Sequence, residues 1–426
     1  MIDYAIKDEI AYCLESKLPD YIDMLRQMVE INSFTANPDG VNRLGALTAD
    51  VFSQLGFSKE FLPSVNAGFG QHLFLHSSAD SEAISLDHPN QPFIAMISHL
   101  DTVYPPEEEE ANHFFFRFDG DRIYGPGTVD IKGGTMMIFM ILDVIRSSVP
   151  SLFKQVKWLV GLDASEETLS EDFGALCLER IPSDALACLV FEGGTIHPSR
   201  FPIVTARKGR AEFRISVNGR GAHAGNYHKQ GANAIVQLAH TVQEISRLTN
   251  YNHQITYNVG VINGGSVVNR VPHYAEAIVE MRAFSPEIFS MGVQKMLELD
   301  GTSSISSEDG YPCRVSVQML SQTPPWPRNP ETERLFNLWK ETGMHLRLEV
   351  IPEERGGLSD GNLLWKHVPV LDGLGPSGTN AHCSERSADG SKDQEYLFLP
   401  SVVPKAVLNV LAIINLIEHA DDLILI

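Results

Sequence analysis

Three short apolar runs end in residues able to bind a metal or move a proton. Phe93–Ile97 leads into Ser98-His99-Leu100-Asp101-Thr102, Val156–Leu162 into Asp163-Ala164-Ser165-Glu166-Glu167, and Ala185–Phe191 into Glu192-Gly193-Gly194. A glycine-rich loop, Gly125–Gly134, carries a further carboxylate, Asp130. A lone carboxylate at a strand end is usually a solvated cap, and a lone histidine is usually structural. Several such endings on neighbouring strands are harder to dismiss. Carboxylates crowded together repel unless a proton or a cation neutralises them. Imidazole with carboxylate oxygens makes a donor set for zinc or a similar divalent metal. Asp101, two residues after His99, can reach the second imidazole nitrogen and fix its tautomer.

These residues need elements that bring them together. The three apolar runs are of strand length and do not alternate, as expected for strands buried on both faces of a largely parallel sheet. Helical spacing from about residue 5 to 30, and helices expected over Asn42–Leu55, Thr135–Arg146 and Gly174–Ile181, give α/β alternation. In such sheets, sites form beyond the carboxyl ends of the strands. The texture changes after about Thr205. Strand Ala211–Val217, helix Ala232–Leu248, strands Thr256–Ile262 and Ala275–Arg282, helix Pro286–Leu299 and strand Cys313–Met319 spell a ferredoxin-like β-α-β-β-α-β insertion. The proline-rich stretch from Thr323 reads as the return linker. Helix Glu331–Thr342, strand Arg347–Pro352, helix Asn362–Lys366, strand Val368–Leu371 and helix Val403–His419 then resume the α/β order. The expected division is 1–205 and 321–426 for the outer domain and 206–320 for the insert.

The 426 residues suit two to three domains at about 150 residues each. With 43% apolar and 20% charged residues, the composition excludes global disorder. A formal net charge of −21 argues against nucleic acid or an anionic membrane as a partner. The five cysteines form no CxxC pair and read as core thiols of a reducing cytoplasm. No uninterrupted apolar stretch of about 18 residues predicts a membrane span. Met136–Leu142 and Ala406–Ile417 read as buried helices, and the charged N-terminus lacks the pattern of a signal peptide.

His99-Leu100-Asp101-Thr102-Val103, the Asp130 loop, Ser165-Glu166-Glu167 and Glu192-Gly193-Gly194 resemble, in order, the motifs of the co-catalytic zinc exopeptidases and deacylases. That family includes bacterial glutamate carboxypeptidase, acetylornithine deacetylase and succinyl-diaminopimelate desuccinylase. The chain is most similar to the glutamate carboxypeptidase branch. The resemblance runs from roughly residue 15 to 420, and its last motif is Gly373–His382. It implies a mostly parallel sheet sandwiched by helices, with the insert as a lid and dimerisation domain. It further implies two zinc ions per subunit, with cobalt able to substitute. Asp130 would bridge them, with His99 and Glu192 on one and Glu167 and His382 on the other. Glu166 would be the general base. A tied Glu167 and a free Glu166 can divide metal binding and proton transfer between them. The Asp130–Ile131 bond is expected to be cis.

In the insert, Gly219–Gly225 resembles the segment whose histidine, here His223, reaches the partner subunit's site and donates to the oxyanion. Gly264–Pro272 resembles a substrate-contacting segment, with Asn269 in the contacting place. Arg282 matches an arginine that grips the substrate's carboxylate, bidentate geometry suiting that task; Arg207 and Lys208 are the alternatives. Gly356–Gly361 resembles a glycine-rich loop lining the cleft, where backbone can approach substrate, with Gly357 as a substrate-binding candidate. The implied activity is cleavage of an amide beside a free carboxylate, in a small peptide by a carboxypeptidase or in an N-acyl amino acid by a deacylase. The implied assembly is a homodimer. A peptide-binding relative without catalysis is the rival from another class, and the retained Glu166 speaks against it.

The chain departs from the family at Ser165, where Asp or Asn is usual, and at Ile131, where an acidic residue is common. Its exit after His382, Cys383–Lys392, is longer than usual. Gly373-x-Gly375-x-x-Gly378 has the spacing of a dinucleotide fingerprint, but Pro376 and the lack of a following helix spoil it. The acidic run Glu107–Glu110 reads as a solvated loop, and Phe114–Phe116 as lid or core packing.

Overall fold

The computed structural model describes residues 6–77, 91–170, 172–197 and 199–420. The first helix, expected from about residue 5, is therefore described from Ile6. The chain divides into two units: Met1–Thr205, Arg328–Glu353 and Ser359–Ile426 form unit 1, and Ala206–Pro327 with Glu354–Leu358 form unit 2. The return to unit 1 comes at Arg328 rather than residue 321, and Glu354–Leu358 revisits unit 2. The reason is local pairing: Arg207 exchanges backbone bonds with Trp326, and Lys208 N–H donates to Arg355 O.

Unit 1 is built on a six-stranded sheet in the order Phe57–Pro63, Gln71–Ser77, Lys157–Asp163, Phe93–His99, Ala187–Val190, Val370–Leu371. The last four are parallel, and the first two form an antiparallel hairpin on one side. Nothing in the apolar runs marked that hairpin. Phe57–Pro63 is only partly buried, so its pattern is weak. The inner strands are buried along almost their whole length, which explains their unalternating sequence.

Helix Lys132–Ser148 is buried on nearly every side and packs with Ile6–Val29 and Val402–Glu418 in the main core. Among the described residues, the segment Leu399–Glu418 is the one long and apolar enough to cross a membrane, and most of it is buried inside unit 1. Its polar interruptions are used: Asn409 donates to Leu374 O and accepts from Trp339 Nε1, both at 2.9 Å. Lys405 Nζ donates to Gly373 O and Gly375 O. Those carbonyls belong to the fingerprint-like glycines, which lead into strand Ser377–Thr379 and not into a helix.

A second sheet orders Arg117–Asp119, Arg122–Tyr124, Tyr396–Phe398, Ser377–Thr379 and Gly194–Thr195. Its strands span two or three residues, too short for a readable period. The acidic run is a correction: Pro106–Ala111 is a short helix, and Glu109 is buried in it. Phe114 is core, whereas Phe115 is exposed. All five cysteines are free; Cys177, Cys188 and Cys313 are buried, and Cys13 and Cys383 are partly so.

Unit 2 is an antiparallel sheet in the order Thr256–Gly264, Tyr274–Ala283, Gly209–Asn218, Arg314–Thr323. Helices Ala234–Arg247 and Pro286–Leu297 pack against it. Gly209–Asn218 alternates buried and exposed residues along its length, so one face meets a core of its own. Asn233 caps the first helix by accepting from Ile235 and Val236 N–H, and Ser285 caps the second by accepting from Ile288 N–H.

Candidate metal centre and active site

His99 is the last residue of strand Phe93–His99, in register with Asp163 at the end of its parallel neighbour. Glu166 and Glu167 follow that neighbour in a single tight turn, and Glu192 follows Ala187–Val190 on the other side. Asp130 precedes helix Lys132–Ser148, and His382 follows strand Ser377–Thr379. The Asp130–Ile131 bond is cis. Close backbone approach is built in with glycine. A Cβ on Gly134 would stand 2.1 Å from Phe191 O, and one on Gly375 would stand 2.5 Å from the same oxygen. Both positions press against the strand end that carries Glu192.

The carboxylate of Asp130 faces two imidazoles. Its Oδ1 lies 3.2 Å from His99 Nε2 and its Oδ2 lies 3.3 Å from His382 Nε2. His382 Nε2 is also 3.1 Å from Glu167 Oε2, and His99 Nε2 is 3.9 Å from Glu192 Oε1. His99, Asp130 and Glu167 offer ligand atoms all within 4.8 Å of one another. Asn380 and His382 hold left-handed backbone at φ 61° and 65°. Such conformations cost on the order of 1–3 kcal/mol and persist where surroundings impose them.

Asp101 organises the centre from below. Its carbonyl and its Oδ1 lie 2.9 and 3.4 Å from His99 Nδ1. Two acceptors there hold a proton on Nδ1, which would leave the Nε2 lone pair free for a cation bound beside Asp130. The same carboxylate accepts from Glu166 N–H at 3.1 Å, Glu167 N–H at 3.2 Å and Thr35 Oγ1 at 2.6 Å. One aspartate thus orients the imidazole and the Glu166–Glu167 turn together.

The charges fit divalent cations. Burial alone would raise the Asp130 carboxyl, but its bonds to His382 and His99 hold it below the ordinary carboxylate range. The bonds to Asp130 and Glu167 lift His382 to about 10. Burial disfavours a charged His99, yet Asp101 and Asp130 raise it well above its usual value. Burial pushes Glu166 well above the usual range, with Glu192 and Glu167 adding to the rise. Glu167 is pushed up to about 6 by burial and by Asp130. Without cations, two imidazolium rings supply the positive charge that this carboxylate cluster demands. Cations placed among the same atoms would take over that task and release the protons.

Two other sites in unit 1 lie near the centre; His72 stands outside every motif, and Asp360 entered only as a member of the Gly356–Gly361 loop. His72 lies between Asp163 and Asp172, each at 3.1 Å, behind the Glu166–Glu167 turn. Asp360 is buried, and burial together with Asp163 holds its carboxyl well above the usual range. A sequence signal for these placements is lacking, because each depends on partners far along the chain.

Unit 2 carries the remaining candidates. His223 is exposed, and its Nδ1 accepts from Gly225 and Asn226 N–H at 3.2 and 3.1 Å. The proton of the neutral ring therefore sits on Nε2, which makes an outward donor. Ala224 N–H donates to Asn269 O at 2.9 Å, so His223 and Asn269 stand on adjoining loops. Arg282 is already engaged: Nε and Nη2 donate to Glu280 at 2.7 and 3.1 Å, and Nη1 donates to Gly356 O at 2.7 Å. Arg207 Nη1 holds Gly357 O and Leu358 O at 3.1 and 2.9 Å. Burial and the neighbouring Arg282 push the Lys208 ammonium down. Arg282 and Arg207 thus both grip the Gly356–Leu358 turn.

Residues 205–298 match the family model of the peptidase dimerisation domain. Carboxypeptidase G2 from Pseudomonas sp. (strain RS-16) is 23% identical over 372 residues, covering 85% of this chain and 83% of that protein. Acetylornithine deacetylase from Shigella sonnei is 24% identical over 343 residues, covering 76% and 82%. The crystal structure of the M20 family metallo-carboxypeptidase Sso-CP2 from Sulfolobus solfataricus shares the fold at a TM-score of 0.67 and 13% identity, over 93% of this chain and 99% of that one. With the strand-end motifs and the inserted domain in the same order, the chain is similar to M20 family peptidases and deacylases, among them metal-dependent enzymes.

Proposed function

We propose that this protein is a dinuclear zinc hydrolase that cleaves an amide beside a free carboxylate, as a carboxypeptidase working in a homodimer. The observation that carries the reading is Asp130, whose two oxygens face His99 and His382 separately. His99 and Glu192 would hold one cation, Glu167 and His382 the other, and Asp130 both. When bound, the pair supplies Lewis acidity at the scissile carbonyl and an acidified water. Glu166, on the turn held by Asp101, accepts the proton of the attacking water and passes it to the leaving amine. The Nε2 proton of His223 is a donor for the oxyanion. Arg282 orients the substrate carboxylate with donors beyond those that Glu280 and Gly356 occupy.

The homodimer is supported by the dimerisation-domain match and by apolar exposure at one edge of unit 2. Val261 and Ile262 lie exposed on the outer strand Thr256–Gly264, and Ile235 and Val236 lie exposed at the start of helix Ala234–Arg247. The five free cysteines favour a reducing compartment such as the cytoplasm.

A deacylase is the second reading, favoured by the similarity to acetylornithine deacetylase. The two differ in what lies on the acyl side of the bond. Hydrolysis of dipeptides, acyl-glutamates and N-acetyl amino acids, each with added zinc, separates them. Faster cleavage of dipeptides or acyl-glutamates supports the carboxypeptidase, and exclusive cleavage of N-acetyl amino acids supports the deacylase. Cleavage of none of these would overturn both.

A further inference from the structure

We infer that Glu395 is a positioning residue that sets the bridging Asp130 against His382. Its carboxylate is fully buried, and Oε1 accepts from Val129 N–H at 2.8 Å and from Asp130 N–H at 3.1 Å. Oε2 accepts from the buried Tyr104 hydroxyl at 2.7 Å. The backbone N–H of Glu395 donates to Cys383 O at 2.8 Å, one residue beyond His382. One residue therefore grips the two loops whose side chains must share a cation.

The surrounding sheet explains why this position can do so. Strand Tyr396–Phe398 begins at the next residue and lies between Arg122–Tyr124 and Ser377–Thr379. Tyr396 is in register with both Tyr124 and Thr379. The first neighbour leads into the Asp130 loop and the second into the His382 loop. Glu395 thus stands at the point where both depart from a common frame. The N–H groups of Val129 and Asp130 are buried donors that a carboxylate satisfies and a shorter side chain would not reach. Groups that orient metal ligands in this way typically change cation affinity about ten- to a hundredfold when removed.

The inference rests on reading Asp130 and His382 as metal ligands, so its test reads metal binding and not hydrolysis. The full chain is stripped with a chelator and titrated with zinc alone and cobalt alone against a competing indicator, with melting of the metal-free form followed in parallel. Glu395→Ala and Glu395→Asp should weaken the cation sites by about tenfold or more. Glu395→Gln should stay within about threefold of wild type, because its amide oxygen can still accept both backbone N–H groups. If the alanine variant fails to fold, the aspartate and glutamine variants decide by their order. Wild-type affinity in a folded Glu395→Asp protein, or a Gln variant as weak as the Asp variant, would overturn the positioning role alone. No cation binding by wild-type protein would overturn the ligand reading and this role with it.

Discussion

The two groups of candidate residues are held in opposite ways. Those of unit 1 stand at strand ends under a packed core, and His99, Asp101, Asp130, Glu167 and His382 contact one another. His99 and Asp101 are almost wholly buried, and Asp130 contacts both imidazoles. Those of unit 2 stand on loops or on an outer sheet face. His223 and Asn269 are exposed, and the proton-bearing nitrogen of His223 points away from its own loop contacts. The first group is chemically self-sufficient once cations are added. The second has donors prepared for something that its own unit does not supply. A second copy of the chain and a bound substrate are what the proposed function offers.

The sharpest way to break this contrast lies inside unit 1. Glu166→Gln keeps the size and removes the proton acceptor. Turnover should fall by about a hundred- to ten-thousandfold, with metal content unchanged. If Glu166→Gln loses a metal while Glu167→Gln does not, the two roles are reversed.

The next largest effect concerns His223. His223→Ala should lose most activity, yet mixing it with Glu166→Gln protein should restore part of it once subunits exchange. Random reassortment of a two-fold dimer would give up to about a quarter of wild-type activity. Exchange shown by mass or fluorescence without any recovery would place His223 in its own subunit's site or in none.

Arg282→Ala should lower kcat/KM by roughly ten- to a hundredfold and blunt the preference for a free acid over its amide. Its bonds to Glu280 make it a compromised cation. Undiminished discrimination in the variant would pass the role to Arg207 or Lys208.

The smallest effect is on stability and contrasts the packing of the two sites. Gly134→Ala forces a Cβ to within 2.1 Å of Phe191 O and should cost about 1–3 kcal/mol in denaturant unfolding. At Gly225, beside His223, the nearest atom to a new Cβ is 3.5 Å away, and Gly225→Ala should stay within about 0.5 kcal/mol. Equal losses would erase the distinction between a packed and an open site.

The elements of the inserted unit were legible in type and order, though not in their exact ends, because Gly209–Asn218 alternates strictly and helix Ala234–Arg247 is amphipathic. The candidate residues of unit 1 stand out in the sequence because each follows a distinct apolar run or lies in or after a glycine-rich loop. What escaped has a physical pattern. The hairpin Phe57–Pro63 with Gln71–Ser77 is half-solvated, and the five-stranded sheet is made of fragments. Glu109 looked like one of four solvated acids, but burial pushes its carboxyl up and the buried Lys132 ammonium opposes the rise. Glu395 sits at the end of a polar stretch, and its partners Val129 and Asp130 lie 266 and 265 residues away. Local pattern reports burial and period; it does not report which distant backbone a buried carboxylate will satisfy.

The central claim is that unit 1 holds a two-cation hydrolytic centre built around Asp130. The most direct measurement is metal stoichiometry joined to activity on one preparation. The protein is stripped with a chelator, assayed, and then titrated with zinc or cobalt while bound metal and hydrolysis are followed together. The account predicts no hydrolysis by the stripped protein and recovery that is complete at two cations per chain. Full hydrolysis by protein free of metal, or binding of two cations undisturbed in Asp130→Ala, would contradict it.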